Sequence, residues 1–316
     1  MLVNKATLYL VASCIVLAAA ACSSGAPPGM PATSTTPVQG SSSARHGWIS
    51  PEAKKEKLLY VTDYTSSIVL IYKQGATGSG PIGEIVTGID GPQGDAVDKA
   101  GTLYVANDAG NTVTEYPAGS TSPSVTLSTG ISRPLDVSVD SNGIVYVMEG
   151  SASEILEFKP GSTSPDATVS LTHPSDGTNA KNNDLYVSYN ASSGGHAARC
   201  KPLATTCTDL GISVGLAQGI AIDVHGNLAL GDVYGEVINI YKRGQTMPYR
   251  TISVPDEQPS KLALNAKDST LYMADPANFA VDLYNYATGS QESTFTFGSA
   301  DELEGVALSP GQKPGK

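Results

Sequence analysis

Gly119-Ser120-Thr121-Ser122-Pro123 returns unchanged as Gly161-Ser162-Thr163-Ser164-Pro165, 42 residues further on, and an aromatic precedes each copy at the same distance, Tyr116 and Phe158. A period near 40 with strand-like flanks is the mark of radial β-repeats. Outward from these copies one strand recurs, as Leu59-Tyr60-Val61, Leu103-Tyr104-Val105, Val145-Tyr146-Val147, Leu185-Tyr186-Val187, Leu228-Ala229-Leu230 and Leu271-Tyr272-Met273. Its centres are 40 to 44 residues apart. β-Branched and aromatic residues favour strands, so the recurrence is read as one strand per repeat.

A small-residue strand precedes each copy except the first, as in Pro92-Gln93-Gly94-Asp95-Ala96-Val97-Asp98 and Gln218-Gly219-Ile220-Ala221-Ile222-Asp223. Such residues suit the crowded inner strand around an axis. The turns Asp98-x-x-Gly101, Asp140-x-x-Gly143 and Asp223-x-x-Gly226 supply the aspartate and glycine of a short hairpin. Third strands follow at 68–72, 113–116, 155–158 and 237–241, and more polar fourth strands at 124–127 and 168–171. The expected fold is all-β, a six-bladed β-propeller with four-stranded antiparallel blades. The first repeat begins at Leu58 without an inner strand, and Gly305-Val306-Ala307-Leu308-Ser309 is an inner strand without a successor. The C-terminal strand is therefore expected to pair with the N-terminal blade, residues 305–309 beside 58–62, which leaves no open edge. In the fourth repeat 174–180 lacks the apolar pattern and 189–196 reads as a loop. Either the ring tolerates one poor blade or that side carries the ligand.

The pattern Pro-x-Gly-x-Ala-Val-Asp, a turn glycine, Leu-Tyr-Val-Ala-Asn/Asp, then Val/Ile-x-x-Tyr resembles NHL-repeat propellers, and more distantly the gluconolactonase-like and virginiamycin B lyase-like propellers. The resemblance covers nearly the whole body and speaks for architecture more than for activity. An NHL propeller with amidating-lyase activity uses several histidines before inner strands to bind zinc. Here only His173 occupies such a position; Gly91, Arg133, Ala217 and Gln258 stand at or near the others, His225 lies in an inter-strand turn and His46 in the tether. A gluconolactonase-like site needs glutamate, asparagine and aspartate on one divalent ion, and Glu149, Asn107 and Asp232 have those types.

Lys5, an uncharged apolar run over 6–21, and Ala19-Ala20-Ala21-Cys22 form an export signal with a small-residue cleavage site. The run is shorter than the roughly 20 residues that span a bilayer as a helix. Cysteine after three small residues resembles the lipobox of bacterial lipoproteins, which implies cleavage before Cys22 and acylation of its sulfur and new amino group. Residues 1–21 are thus expected to be a lipoprotein signal peptide, and 51–316 the propeller. Between them, 22–50 would be a disordered Ser/Thr/Pro-rich tether carrying lipidated Cys22, since such a segment cannot bury enough surface to order itself. The membrane is the expected partner through the lipid anchor. Ser23 and Ser24 carry no aspartate signal, so in a host with two membranes the resemblance implies sorting to the outer one.

Nineteen basic against 30 acidic side chains give a net charge of −11, which argues against a nucleic-acid partner. Cys200 and Cys207 are expected to form a disulfide in an exported chain. The alternative, a metal or redox pair, lacks the two-residue gap of such motifs. In a propeller the loops leading into inner strands and the ends of the second strands share one face around the channel. Asp63, Asn107, Glu149, Tyr189, Asp232 and Asp275 follow the Leu-Tyr-Val copies, and Gln93, Asp136, Ser175, Asp176, Gln218, Lys261 and Glu304 lead into the inner strands. Candidate ligand-binding residues on this face are Asp63, Asn107, Asp136, Glu149, Asp176, Asp232, Asp275 and Glu304. A protein or a small molecule is the candidate ligand, and Ca²⁺ or Mg²⁺ on Asn107, Glu149 and Asp232 the candidate cofactor. The competing reading is that a carboxylate or amide at each strand end accepts backbone N–H bonds from a neighbouring loop. Two functions are carried forward: a non-catalytic binding or scaffolding module at the cell envelope, and a divalent-metal-dependent, lactonase-like hydrolase or lyase centred on Glu149, Asn107, Asp136 and Asp232.

Overall fold

The computed structural model describes residues 46–297 and 302–310. The expected signal peptide, Cys22 and most of the tether lie outside the described residues. Five sheets have four antiparallel strands and the sixth has five. The inner strands are Leu303–Leu308, Pro92–Val97, Asp136–Val139, Pro174–Asn179, Ala217–Ile222 and Lys261–Leu264, belonging to blades 1 to 6. Each touches the inner strand of the next blade, and the sixth touches the first, so the ring is closed. Closure follows the expected register: Leu59 pairs with Leu308, Tyr60 with Ala307 and Val61 with Val306.

The Leu-Tyr-Val motif explains how the blades adhere. Side chains alternate across a strand, so the central residue faces one neighbouring blade and its flanks the other. Tyr60 packs in one cluster with Leu103 and Val105, and Tyr104 in the next with Val145 and Val147. Tyr146 meets Leu185 and Val187; Ala229 meets Leu271 and Met273; Tyr272 returns to Leu59 and Val61. The repeated hydrophobic core is therefore the set of interfaces between blades.

The Gly-Ser-Thr-Ser-Pro copies are turns that lock those interfaces. Gly119 and Gly161 sit at φ +75° and +80°, a region glycine enters without steric cost. Pro123 then lies against Gly88, beside a hydrogen bond that the Tyr116 hydroxyl donates to Thr87 O (2.8 Å). Pro165 repeats the contact on Gly130. Beside them, on the same edge of each blade, the Asp-x-x-Gly turns form as expected: Gly101 lies against Ala118 and Gly143 against Pro160. Asp98 Oδ1 accepts from Ala100 and Thr102 N–H, both 2.8 Å, and Gly101 takes φ +88°.

Three parts differ from the sequence reading. Residues 174–179 form an inner strand, with a register shift between Pro174 and Asp176, despite their polarity, because Asp176 faces the axis and Gly177 fits beneath Met148. The loop expected at 189–196 is the tip of a long hairpin in which Tyr189 pairs with His196, their rings stacked 5.3 Å apart. At the other end of the body, Trp48–Ile49 pairs with Glu84 and Gly83, so the last residues assigned to the tether add a fifth strand to blade 1. The Cys200–Cys207 disulfide staples the third strand of blade 4 to its fourth.

Candidate functional site

The acidic and amide residues at the ends of the second strands bond to backbone close to them. Asp63 Oδ1 accepts from Ser66 N–H (2.9 Å), and Asn107 Oδ1 from Asp90 N–H (3.1 Å). Both oxygens of Glu149 accept from Ser132 N–H (3.0 and 2.8 Å). Asp232 Oδ1 accepts from Gly215 and Leu216 N–H, each 3.1 Å, and Asp275 Oδ1 from Gln258 N–H (2.8 Å). In blade 4 the lengthened hairpin moves this role to Asn190, whose amide accepts from Ala217 N–H and donates to Ala217 O. In blades 2, 3, 5 and 6 the strand-end side chain holds the loop that leads into its own inner strand, in blade 4 Asn190 holds the start of the next blade's inner strand, and in blade 1 Asp63 holds the turn that follows it. Burial pushes Glu149 up to about 7 against the opposing Ser132 N–H. Burial, aided by Glu302 and Asp108, pushes Glu304 to about 8. The His173 ring bonds the Gly150 carbonyl (2.9 Å).

Among the described residues one group of three carboxylates has its oxygens mutually within 4.8 Å: Glu257, Asp275 and Asp282 of blade 6. Each has polar partners. Glu257 accepts from the Tyr284 hydroxyl, Asp275 from Asn278 Nδ2 (2.7 Å), and Asp282 from Gln291 Nε2 (2.8 Å) and Thr294 Oγ1 (2.5 Å).

The channel axis carries a different arrangement. Register aligns Gly94, Asp136, Asp176, Gly219, Lys261 and Gly305 on the six inner strands. Three are glycines because the neighbouring blade leaves no room. A Cβ at Gly94 would overlap the Asp136 carboxylate, and one at Gly305 would meet Gln93 O and Asp95. The other three are charged and converge. Lys261 donates to Asp136 Oδ1 and to Asp176 Oδ1 (2.7 Å) across the channel. Asp136 Oδ2 also accepts from Gly177 N–H (2.9 Å), and Asp176 Oδ2 from Ile220 N–H (2.7 Å). Lys261 is 6% exposed and the two aspartates 1% and 2%, so the network is almost wholly withdrawn from bulk water. Burial lifts Asp136 well above the usual carboxylate range, with Lys261 opposing and Asp176 adding to the rise. The two carboxylates hold the Lys261 ammonium above its ordinary range against the cost of burial.

Asp95, which the sequence reading did not single out, joins this cluster from the adjacent register position. It is 1% exposed and neither of its carboxylate oxygens has a hydrogen-bond partner. Burial pushes it up to about 8, with Lys261 lowering it and Asp176 raising it. This has a sign in the pH profile. An unfolded aspartate titrates near 3.9. The folded chain therefore holds the Asp95 proton between about pH 4 and 8 while the unfolded chain has released it, and stability falls as pH rises through that window. Glu149 and Glu304 act in the same direction. Thermal melts at pH 5, 6.5 and 8 are expected to give a melting temperature that drops at each step; a flat or rising series would contradict the burial of these acids.

No known family profile matches the chain, and no curated protein resembles it in sequence. Solved structures do resemble it in shape. A chain of a nidogen/laminin complex superposes with a TM-score of 0.65 at 14% identity, over 80% of this chain and 98% of that one. A chain of Kuenenia stuttgartiensis hydrazine synthase gives 0.59 at 14% identity, over 84% and 89%. At such identities the likeness establishes the fold alone: this chain is a six-bladed β-propeller.

Proposed function

We propose that this protein is an exported, lipid-anchored binding or scaffolding module of the bacterial cell envelope, without catalytic activity of its own. The observation that carries the non-catalytic part is the use made of the polar groups on the face where the second strands end. Asn107, Glu149 and Asp232, the types a divalent-ion site would need, each bond the loop of their own blade. Side chains used in this way make the face rigid, and a rigid set of loops on a closed scaffold suits recognition. Support for the anchor is the sequence Ala19-Ala20-Ala21-Cys22 and the Ser/Thr/Pro-rich stretch after it. Two acyl signals on Cys22 would give stable attachment where one gives marginal binding.

The full chain, produced in a bacterial host fed a clickable palmitate analogue, is expected to take up label and partition into detergent. Cys22→Ser should do neither; a labelled Cys22→Ser chain would overturn the anchor. Calcium or manganese should leave the melting temperature unchanged. A rise that Glu149→Ala abolishes would replace this reading with the divalent-metal-dependent hydrolase or lyase.

A further inference from the structure

From the axial cluster to the Asp-x-x-Gly turns, the channel is a cavity of about 250 Å³. Ordinary ligand pockets hold roughly 300–1,000 Å³. A space below that range fits only a small occupant. Asp95 and Lys261 form its floor, Ser138 and Asn179 stand on its side, and Val139, Ile222 and Leu264 make aliphatic walls.

The polar inventory of this cavity is unbalanced. Both Asp95 oxygens are unpartnered, and so is the buried Asn179 Nδ2, whose Oδ1 accepts from Ser138 Oγ (2.5 Å). The Lys261 ammonium has three N–H groups, and Asp136 and Asp176 take two. A buried polar group without a partner costs free energy that a ligand can recover. Nor does the fold require a carboxylate there. Asp95 pairs with Val105, and the same register position holds Val137, Gly177, Ile220, Leu262 and Val306 in the other blades. An acid stands where the repeat elsewhere has an apolar residue or glycine.

We propose that this cavity binds a small neutral polyol, of monosaccharide size or less, through Asp95, Lys261 and Asn179. The inference rests on reading the ring as a binding module and names its ligand class. The Asp95 oxygens and Asn179 Nδ2 each present less than 1 Å² of surface, so these side chains must turn toward the cavity on binding; one hydroxyl can then donate to Asp95 and accept the third Lys261 N–H, and another can accept from Asn179 Nδ2. The C–H surface of such a molecule lies against the aliphatic walls. A cation satisfies Asp95 but stands beside the Lys261 ammonium and leaves both donors unmet. An anion meets three aspartates.

The test is calorimetric titration and saturation-transfer NMR of the purified full chain. The probes are myo-inositol and glycerol, with calcium chloride and methylammonium chloride as comparison probes. Myo-inositol is expected to saturate one site. Asp95→Val, which installs the residue blades 1 and 3 carry, should weaken that binding at least tenfold while raising the melting temperature by several degrees. The higher melting temperature excludes unfolding as the cause. Asp95→Asn, which keeps an acceptor, should retain part of the affinity. The proposal is overturned if neither polyol saturates a site, which would leave ordered water as the occupant. It is equally overturned if Asp95→Val binds like the parent, or if only the salts bind. Conversion of inositol to a new product in the same samples would overturn the non-catalytic reading and leave the site standing.

Discussion

Lys261→Met is expected to cost the propeller about 3–5 kcal/mol, the range for removing one partner of a buried ion pair. For a domain of this size each kcal/mol moves the melting temperature by about 2–4 °C, so the shift is on the order of 10 °C. Methionine matches the lysine stem in length, and loss of packing is therefore a small part of the effect. What the variant lacks is the ammonium that Asp136 and Asp176 share, and it leaves two carboxylates that are 1% and 2% exposed. Their pH response separates this cause from a packing defect. Without Lys261 nothing opposes the rise that burial imposes on Asp136, so the deficit should shrink toward pH 5 and widen toward pH 8. Adding Asp136→Asn and Asp176→Asn to Lys261→Met should restore most of the loss. The amide oxygens can still accept from Gly177 and Ile220 N–H, and no charge remains buried. A single variant that melts within about 2 °C of the parent at pH 8 would contradict a stabilising role for the axial ion pair.

The same cluster marks the boundary of what the sequence discloses. Blade count, strand order and closure are legible because Leu-Tyr-Val recurs, and its period-two alternation decides which neighbour each residue touches. The Gly-Ser-Thr-Ser-Pro and Asp-x-x-Gly turns are legible because their backbone needs residues of one kind. Asp136, Asp176 and Lys261 stand out as polar residues leading into inner strands. Their meeting does not, because Lys261 is 125 and 85 residues from its two partners and the separation collapses only when the ring closes. Asp95 left a fainter trace. It sits inside a Pro-x-Gly-x-Ala-Val motif that reads as blade construction, and only strand register shows that its counterparts are apolar or glycine. Polarity also obscured the fourth blade, whose inner strand turns Asp176 to the axis and not to a core. Trp48–Ile49 was hidden for the opposite reason. Two residues carry no periodicity, and their place depends on the free edge at Gly83 and Glu84.

A chain truncated before Leu303 is expected to lose its cooperative thermal transition altogether. The deleted strand carries Leu303, Val306 and Ala307 at 0%, 1% and 5% exposure. Burial of the two larger side chains stabilises by about 1.5–3 kcal/mol each. The ladder to residues 58–63 adds backbone hydrogen bonds at about 1 kcal/mol apiece. The loss is not confined to one blade. Ala307 belongs to the cluster between blades 1 and 2, and Leu303 and Val306 to the cluster between blades 6 and 1, so two interfaces open together. Folded domains have a net stability of about 5–15 kcal/mol, and the summed loss reaches that range. A permuted chain distinguishes loss of the strand from loss of the chain end. If residues 302–310 are placed ahead of Leu58 through a turn copied from 98–102, blade 1 acquires the connectivity of the other five. Ser309 N–H already bonds Leu58 O (2.8 Å), so a short turn can join the two strands without moving either. That chain gives up the Trp48–Ile49 strand, whose Trp48 is 46% exposed, and should still melt cooperatively. If the truncated chain also melted cooperatively near the parent temperature, the ring would be held by its remaining interfaces and the terminal strand would be an accessory to the fold.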